Sequence, residues 1–418
     1  MAKFFYWLLP FYLLSFVMST AGQEIFGWAI FLLFLFNIAF DFKKIGFTDS
    51  IKNLKIGADI PVLFFWTWAL LSTQVVFNDL RELGATFSEV RWVFLLYGYS
   101  YLMKKYFSLE YEKHYKFLLV STALVGLYGI VQMFTRIDLV RSTNLHMSEI
   151  GDLYRATGFF TVPLTYAYCI GMLGMFAFTS LLINIKENKS YILPLITTIS
   201  TIGAVIASST RGAWIAFFVA VMTMTLIMDR KKAALTFVIS LLVAGPMMLE
   251  PTIQKRAISI FNLKSYASNT ERIDLWRTNF EIFKDNPIFG VGLERSQLHL
   301  AEYYQKLNIE HGFHGHAHND FLYILSGVGF PGTIAWLWLC GYFIFLAFKL
   351  YKNSIDYRLQ VLTLGALGAQ IYIHVGGLTQ CNFSDNEINH ILVFTWALLV
   401  GIKAQFDNLN RPKRLSDK

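Results

Sequence analysis

The sequence predicts an all-α polytopic integral membrane protein with about twelve transmembrane helices and one large loop outside the membrane. Three observations predict it. Of 418 residues, 55% are apolar and 15% charged, against about 45–50% and about 25% in an ordinary soluble domain. Mean hydropathy is +0.46. Apolar runs near the roughly 20 residues that cross a bilayer's hydrocarbon core recur along almost the whole chain. Soluble, collagen-like and disordered classes are excluded, and three cysteines (Cys169, Cys340, Cys381), two of them inside apolar runs, make no disulfide framework.

The runs lie at 4–20, 25–41, 59–78, 89–103, 116–134, 162–184, 191–208, 212–228, 233–249, 320–348, 359–376 and 388–403. The first follows Lys3 and ends near Ser19-Thr20-Ala21, as a signal peptide would. Eleven further runs favour an uncleaved first helix. An even number of spans puts both termini on one side, and lysine and arginine in short loops choose which. With a cytoplasmic N-terminus, the cytoplasmic segments hold 22 of the 36 basic residues, among them Lys43, Lys44, Lys104, Lys105, Arg230, Lys231 and Lys232; the short outer loops hold 6. Both termini are therefore expected in the cytoplasm.

No internal repeat or linker stands out, so residues 1–418 read as one membrane domain, interrupted at 250–317 by an insertion on the outer side. Inside it Ile273, Trp276, Phe280 and Phe283 recur at helical spacing, with Arg272, Asp274, Arg277 and Lys284 elsewhere on the wheel. Asn286-Pro287 stops that helix, and Phe289-Gly290-Val291-Gly292 suits a tight turn. A second amphipathic stretch places Leu300, Tyr303, Tyr304 and Leu307 together. The pattern predicts two short helices lying on the membrane surface; the alternative is a cap packing on itself.

Topology then sorts the unusual polar residues. Arg155 follows span five, Arg211 sits between spans seven and eight, Arg272 lies in the insertion, and His318 opens span ten. All four reach the outer face. Charges beside lipid are expensive and mark function, although single arginines at span ends also snorkel to headgroups. Arg211 is the best case for function, because Ser208-Ser209-Thr210-Arg211-Gly212 is a minimal turn between two apolar helices. The second signal is His311-Gly-Phe-His314-Gly-His316-Ala-His318-Asn319-Asp320, with four of the nine histidines. One reading is a zinc site that Asp320 completes, though no HExxH or cysteine partner is near. The other is a single base, since a neutral imidazole takes a proton from a hydroxyl without a cofactor.

The chain has no GxxxxGK[ST] loop, no Asp-x-Asp pair and no Gly-x-Ser-x-Gly elbow. Without nucleotide chemistry, an enzyme outside the cytoplasm needs a donor already activated, such as a glycan on a lipid diphosphate. Arginine forks bind phosphate oxygens bidentately and stay charged at any working pH.

These residues resemble a known family. His318-Asn319, nine residues, then Gly329-Phe330-Pro331-Gly332-Thr333 is similar to the histidine motif of bacterial O-antigen ligases, which follows their large periplasmic loop. Thr210-Arg211-Gly212-Ala213-Trp214 resembles the family's arginine turn. Arg272-Ile273-Asp274-Leu275-Trp276 with Asn286-Pro287-Ile288-Phe289-Gly290-Val291-Gly292 resembles its loop signature, and Arg155-Ala156-Thr157-Gly158-Phe159 before Pro163 another element. O-antigen polymerases and protein O-oligosaccharyltransferases share parts of the pattern; the latter usually have a longer C-terminal region than the fifteen or so residues after span twelve here. The resemblance implies transfer of O-antigen polysaccharide from undecaprenyl diphosphate to the lipid A-core oligosaccharide at the periplasmic face of the bacterial inner membrane, without metal, ATP or other cofactor. It makes His318 the catalytic base or orienter of the acceptor hydroxyl, with His316 and Asn319 in support. By the same resemblance Arg211, Arg272 and Arg155 would hold the donor diphosphate, and a single displacement would invert the anomeric centre. No nucleic acid is implied.

Two other classes compete. A flippase or transporter predicts mid-membrane polar groups on broken helices, for which His374, Gln370 and Gly245-Pro246 are the nearest candidates. A noncatalytic scaffold would leave the arginine and histidine set without a purpose.

Overall fold

The computed structural model describes residues 1–107, 111–140, 145, 154–247, 249–260, 267–310 and 312–409. Its regular elements are helices: α1 (Ala2–Met18), α2 (Thr20–Ile45), α3 (Phe47–Leu54), α4 (Asp59–Phe77), α5 (Leu80–Glu89), α6 (Trp92–Tyr106), α7 (Glu112–Thr135), α8 (Pro163–Lys186), α9 (Ile192–Ala207), α10 (Arg211–Met228), α11 (Arg230–Met247), α12 (Pro251–Ile258), α13 (Ala267–Asp285), α14 (Leu300–Leu307), α15 (Asp320–Asn353), α16 (Tyr357–Gly376) and α17 (Asn386–Leu409). Each of the twelve apolar runs is one of these helices. Eight of them, α2, α4, α7, α8, α10, α15, α16 and α17, are long and apolar enough to cross a membrane, and α1 and α9 are apolar but shorter. The chain is a multi-pass membrane protein.

Lipid gives backbone groups no water to bond, so helices satisfy them internally, and polar side chains inside must do the same. Thr179, Thr363 and Thr395 each donate to the carbonyl four residues back, at 2.8, 2.7 and 2.7 Å. Gln370 is held in the same way. It donates to Ala366 O at 3.1 Å, and its Oε1 accepts from Trp396 Nε1 at 3.0 Å, which joins α16 to α17 rather than lining a path. Gly245-Pro246 falls at the last turn of α11 and does not divide it. Helices α8 and α16, buried around most of their circumference, form the centre.

The insertion differs in part from its expected form. Helix α13 runs 19 residues and stops at Asp285, as Asn286-Pro287 requires. Its buried face is Leu275, Thr278, Asn279 and Ile282, however, while Ile273 and Phe280 of the expected stripe are 41% and 47% exposed. The inward face departs from the apolar stripe because it mixes apolar with small polar residues, and hydrogen bonds make Asn279 buriable: Ser326 Oγ donates to Asn279 Oδ1 at 2.8 Å. Leu275, Ile282, Val291, Leu300, Tyr303 and Tyr304 form a core of their own. The insertion therefore has a cap's interior as well as an apolar outer face.

Two glycine motifs lock this cap to the membrane helices. Val291 N donates to Ser326 O at 2.9 Å and Phe330 N to Pro287 O at 2.8 Å. Trp68 Nε1 of α4 donates to Val328 O at 2.9 Å. Helix α15 breaks at Gly329, with φ 66° and ψ −171°. A Cβ there would lie 2.2 Å from Ile288 O, and one on Gly290, with φ +67°, would lie 2.5 Å from Gly327 C and O. Both positions thus need glycine for conformation and for space. Gly329→Ala is expected to cost about 1–3 kcal/mol from a backbone conformation open essentially to glycine alone, and more from the backbone collision. A melting temperature in detergent equal to wild type would refute it.

Candidate functional site

One face of the bundle gathers the start of α8, the end of α9, the starts of α10 and α15, and the end of α16. The tight Ser208-Ser209-Thr210 link between α9 and α10 forces Ser209 to φ 53°. That conformation turns successive carbonyls outward, and arginines take them. Arg155 Nε donates to Ser208 O at 3.0 Å and its Nη2 to Thr210 Oγ1 at 3.3 Å. Arg256 Nε, from α12, donates to Ser209 O at 3.2 Å. Arg211 turns away from its own turn instead: Nη1 donates to Ser259 O at 3.1 Å and to Ser259 Oγ at 2.9 Å. Arg211 and Arg256 are 8% and 6% exposed, so neither is a surface charge reaching for a headgroup.

The link continues to Arg272. Asn269 Nδ2, in the first turn of α13, donates to the same Ser259 O at 3.1 Å, and Arg272 follows one turn later. Its guanidinium lies within electrostatic range of His316, His318 and Tyr168. On the other side, a Cβ on Gly212 would lie 2.3 Å from Thr379 Oγ1 and 3.0 Å from Tyr168 OH. The arginine turn thus abuts the loop after α16, whose next residue is Gln380.

Gln380 meets His318. His318 Nδ1 and Gln380 Oε1 are 2.7 Å apart. Since the amide oxygen only accepts, the imidazole carries its proton on Nδ1, and Nε2 keeps its lone pair. Neighbours hold this geometry. Asn319 caps α15 by accepting from Leu322 N at 3.0 Å, and its Nδ2 donates to Leu378 O at 3.0 Å. Asp320 N donates to Gly377 O at 2.7 Å, and its Oδ1 accepts from Phe383 N at 2.9 Å. These bonds clamp the 377–383 loop against His318, which itself sits at φ 47°.

His316 packs edge-on to His318 with ring centroids 4.2 Å apart, and its Nδ1 accepts from His318 N at 3.3 Å. Burial lowers the His316 pKa to about 4, helped by the neighbouring His318 and Arg272. Burial also lowers that of His318, against the opposing hydrogen bond it donates to Gln380, with Arg272 lowering it further. Both imidazoles are neutral near pH 7. Trp276 Nε1 donates to His318 O at 3.4 Å, a long bond that ties α13 to the same segment.

Of the residues expected from sequence, Arg155 bonds the 208–210 link while Arg211, which follows it, reaches Ser259, and His318 packs on His316 with Arg272 within electrostatic range of both. Asn319 acts through the backbone it caps. His314 is exposed with its ring against Tyr304, centroids 6.3 Å apart, and His311 lies outside the described residues. Among the described residues, no three His, Cys, Asp or Glu side chains come together in a form that could hold a metal ion. Arg256, Ser259 and Gln380 were not anticipated. Arg256 shares α12 with Lys255 and reads as an ordinary amphipathic charge; Gln380 lies 62 residues after His318, and no spacing links them.

Comparison with known proteins gives two findings. The family model described as O-Antigen ligase (Wzy_C) matches residues 196–337, which hold the arginine turn, the insertion and the histidine motif. The chain is also 20% identical over 375 residues to the teichuronic acid biosynthesis protein TuaE of Bacillus subtilis (strain 168), an alignment covering 85% of this chain and 73% of the relative.

Proposed function

We propose that this multi-pass protein, whose residues 196–337 match the O-antigen ligase family model, is an O-antigen ligase of the bacterial inner membrane. In this reading both termini are cytoplasmic, the 250–317 insertion is periplasmic, and the enzyme moves O-antigen polysaccharide from undecaprenyl diphosphate to the lipid A-core oligosaccharide. The observation that carries it is the junction at Thr379: the buried arginine turn abuts this residue, and the next one, Gln380, holds the histidine. A cationic locus for a leaving diphosphate thus adjoins a base for an incoming hydroxyl.

The chemistry follows from those neighbours. As the acceptor oxygen bonds to the anomeric carbon, its proton passes to His318 Nε2 and the bond from that carbon to the diphosphate oxygen breaks. The electron pair leaves with undecaprenyl diphosphate. Arg211, Arg272 and Arg155 stabilise the charge that gathers there, and Arg256 joins them from sequence-distant α12. Attack opposite the diphosphate inverts the anomeric centre. No step needs metal or ATP.

A polymerase reading uses the same donor with a lipid-linked chain as acceptor, and the relative whose name specifies teichuronic acid biosynthesis keeps it open. Deletion of the gene separates the two by lipopolysaccharide gel. Ligase loss leaves unsubstituted core while lipid-linked polymer accumulates. Core bearing a single repeat unit would replace the ligase assignment with polymerase, and unchanged lipopolysaccharide would reject both.

A further inference from the structure

Two adjoining cavities lie on the side of the bundle opposite His318. Helix α16 measures the separation: Arg358 and Gly376 are 18 residues apart on it, about 27 Å at 1.5 Å per residue. The first is a half-open cleft bounded by α1, α6, α7, α8, α16 and α17 and lined almost wholly by apolar side chains. Along α1 it extends from Phe5 to Phe16, eleven residues or about 16 Å. That is the depth of one leaflet, half of the roughly 30 Å hydrocarbon core.

The second adjoins it through Tyr111 and Tyr115, which line both. Its character is different. Lys116, Lys189 and Arg358 line it together with Glu112, Ser180 and Asn184. Arg358 is neutralised by Asp356, with Nη2 to Oδ2 at 2.8 Å. Lys116 and Lys189 have no carboxylate partner among the described residues, and Lys189 lies over the Tyr357 ring at 5.7 Å. Lys116 and Lys189 are also exposed. Tyrosines with an apolar body and a wet tip stand at the junction, as they do where hydrocarbon meets headgroups.

We infer that the joined cavities bind one anionic phospholipid from the leaflet opposite the catalytic face. One acyl chain fills the apolar cavity to its leaflet depth, and the phosphate with its anionic headgroup rests against Lys116 and Lys189. An apolar tube alone would accept any lipid tail; at its open end Lys116, Lys189 and Arg358 outnumber Glu112 and Asp356 by one positive charge, which selects for negative charge. The site is independent of the transfer chemistry, because it shares no residue with the arginine turn or His318.

The test is native mass spectrometry of the purified full chain, with phosphatidylglycerol and phosphatidylcholine of identical chains added at equal concentration. Wild type is expected to retain phosphatidylglycerol about tenfold better, and Lys116→Glu/Lys189→Glu to bring the two lipids to parity. Leu118→Trp, which fills the apolar cavity, is expected to reduce retention of both. Thermal melting and monodispersity show that each variant is folded; Leu118→Phe serves if the larger ring is not tolerated. Equal retention by wild type, an unchanged preference in the lysine variant, or competition by soluble glycerol phosphate at lipid concentrations would each overturn the site.

Discussion

His318→Ala is expected to lower transfer by about 10²–10⁴-fold, the usual contribution of a general base, while the protein inserts and accumulates normally. Its imidazole is half-buried, held through Nδ1 by Gln380, and its pKa is depressed by that burial and by Arg272. A depressed pKa means the neutral, proton-accepting form persists below pH 6.5. Wild-type kcat/KM should therefore hold on acidification until below that value and then fall. Gln380→Glu places a carboxylate on Nδ1, favours the imidazolium, and moves the acid limb to higher pH. Gln380→Leu removes the orienting partner without adding charge, so it should lower kcat with a smaller displacement of the limb. The assay is transfer from lipid-linked glycan in detergent, run with excess EDTA. A His318→Ala variant as active as wild type would end the base assignment. Chelator inhibition reversed by zinc would favour the histidine cluster as a metal site.

Arg211→Ala is expected to reduce transfer by about 10²–10³-fold, the scale for losing one preorganised stabiliser of developing charge. Arg211→Lys should recover part of it, because a point charge replaces a planar fork. This substitution also separates chemistry from architecture. Arg211 Nη1 bonds both Ser259 O and Oγ, so a residue that only ties α12 to α10 would lose melting temperature along with activity. A catalytic loss with an unchanged melting temperature supports the diphosphate role. Equal loss of both for Ala and Lys, with activity restored on cooling, would make Arg211 a strut. Arg256→Lys gives the companion measurement, since Arg256 Nε holds Ser209 O from the same helix α12.

Much of the molecule was legible in one dimension, and the reason is the solvent. A bilayer demands long apolar runs and internally bonded backbone, so the twelve runs, the stop at Asn286-Pro287 and the face carrying Arg155, Arg211, Arg272 and His318 were written in composition and order. Gly290 also announced a turn, although not that it would interlock backbone to backbone with a break at Gly329 inside the tenth apolar run, which the sequence reads as continuous.

What the sequence determined by itself, then, is which segments form helices in lipid and which chemistry-bearing residues share a side. Tertiary packing decided which groups touch: Arg256 joins the arginine turn because α12 folds back over it, and Gln380 reaches His318 because Asn319 and Asp320 clamp the loop after α16. It also chose the inner face of α13, seating Asn279 against Ser326 and leaving Ile273 and Phe280 outward. Hydropathy follows the cost of each residue's own transfer from water, whereas hydrogen bonds between residues far apart in the chain depend on where the backbone carries both partners.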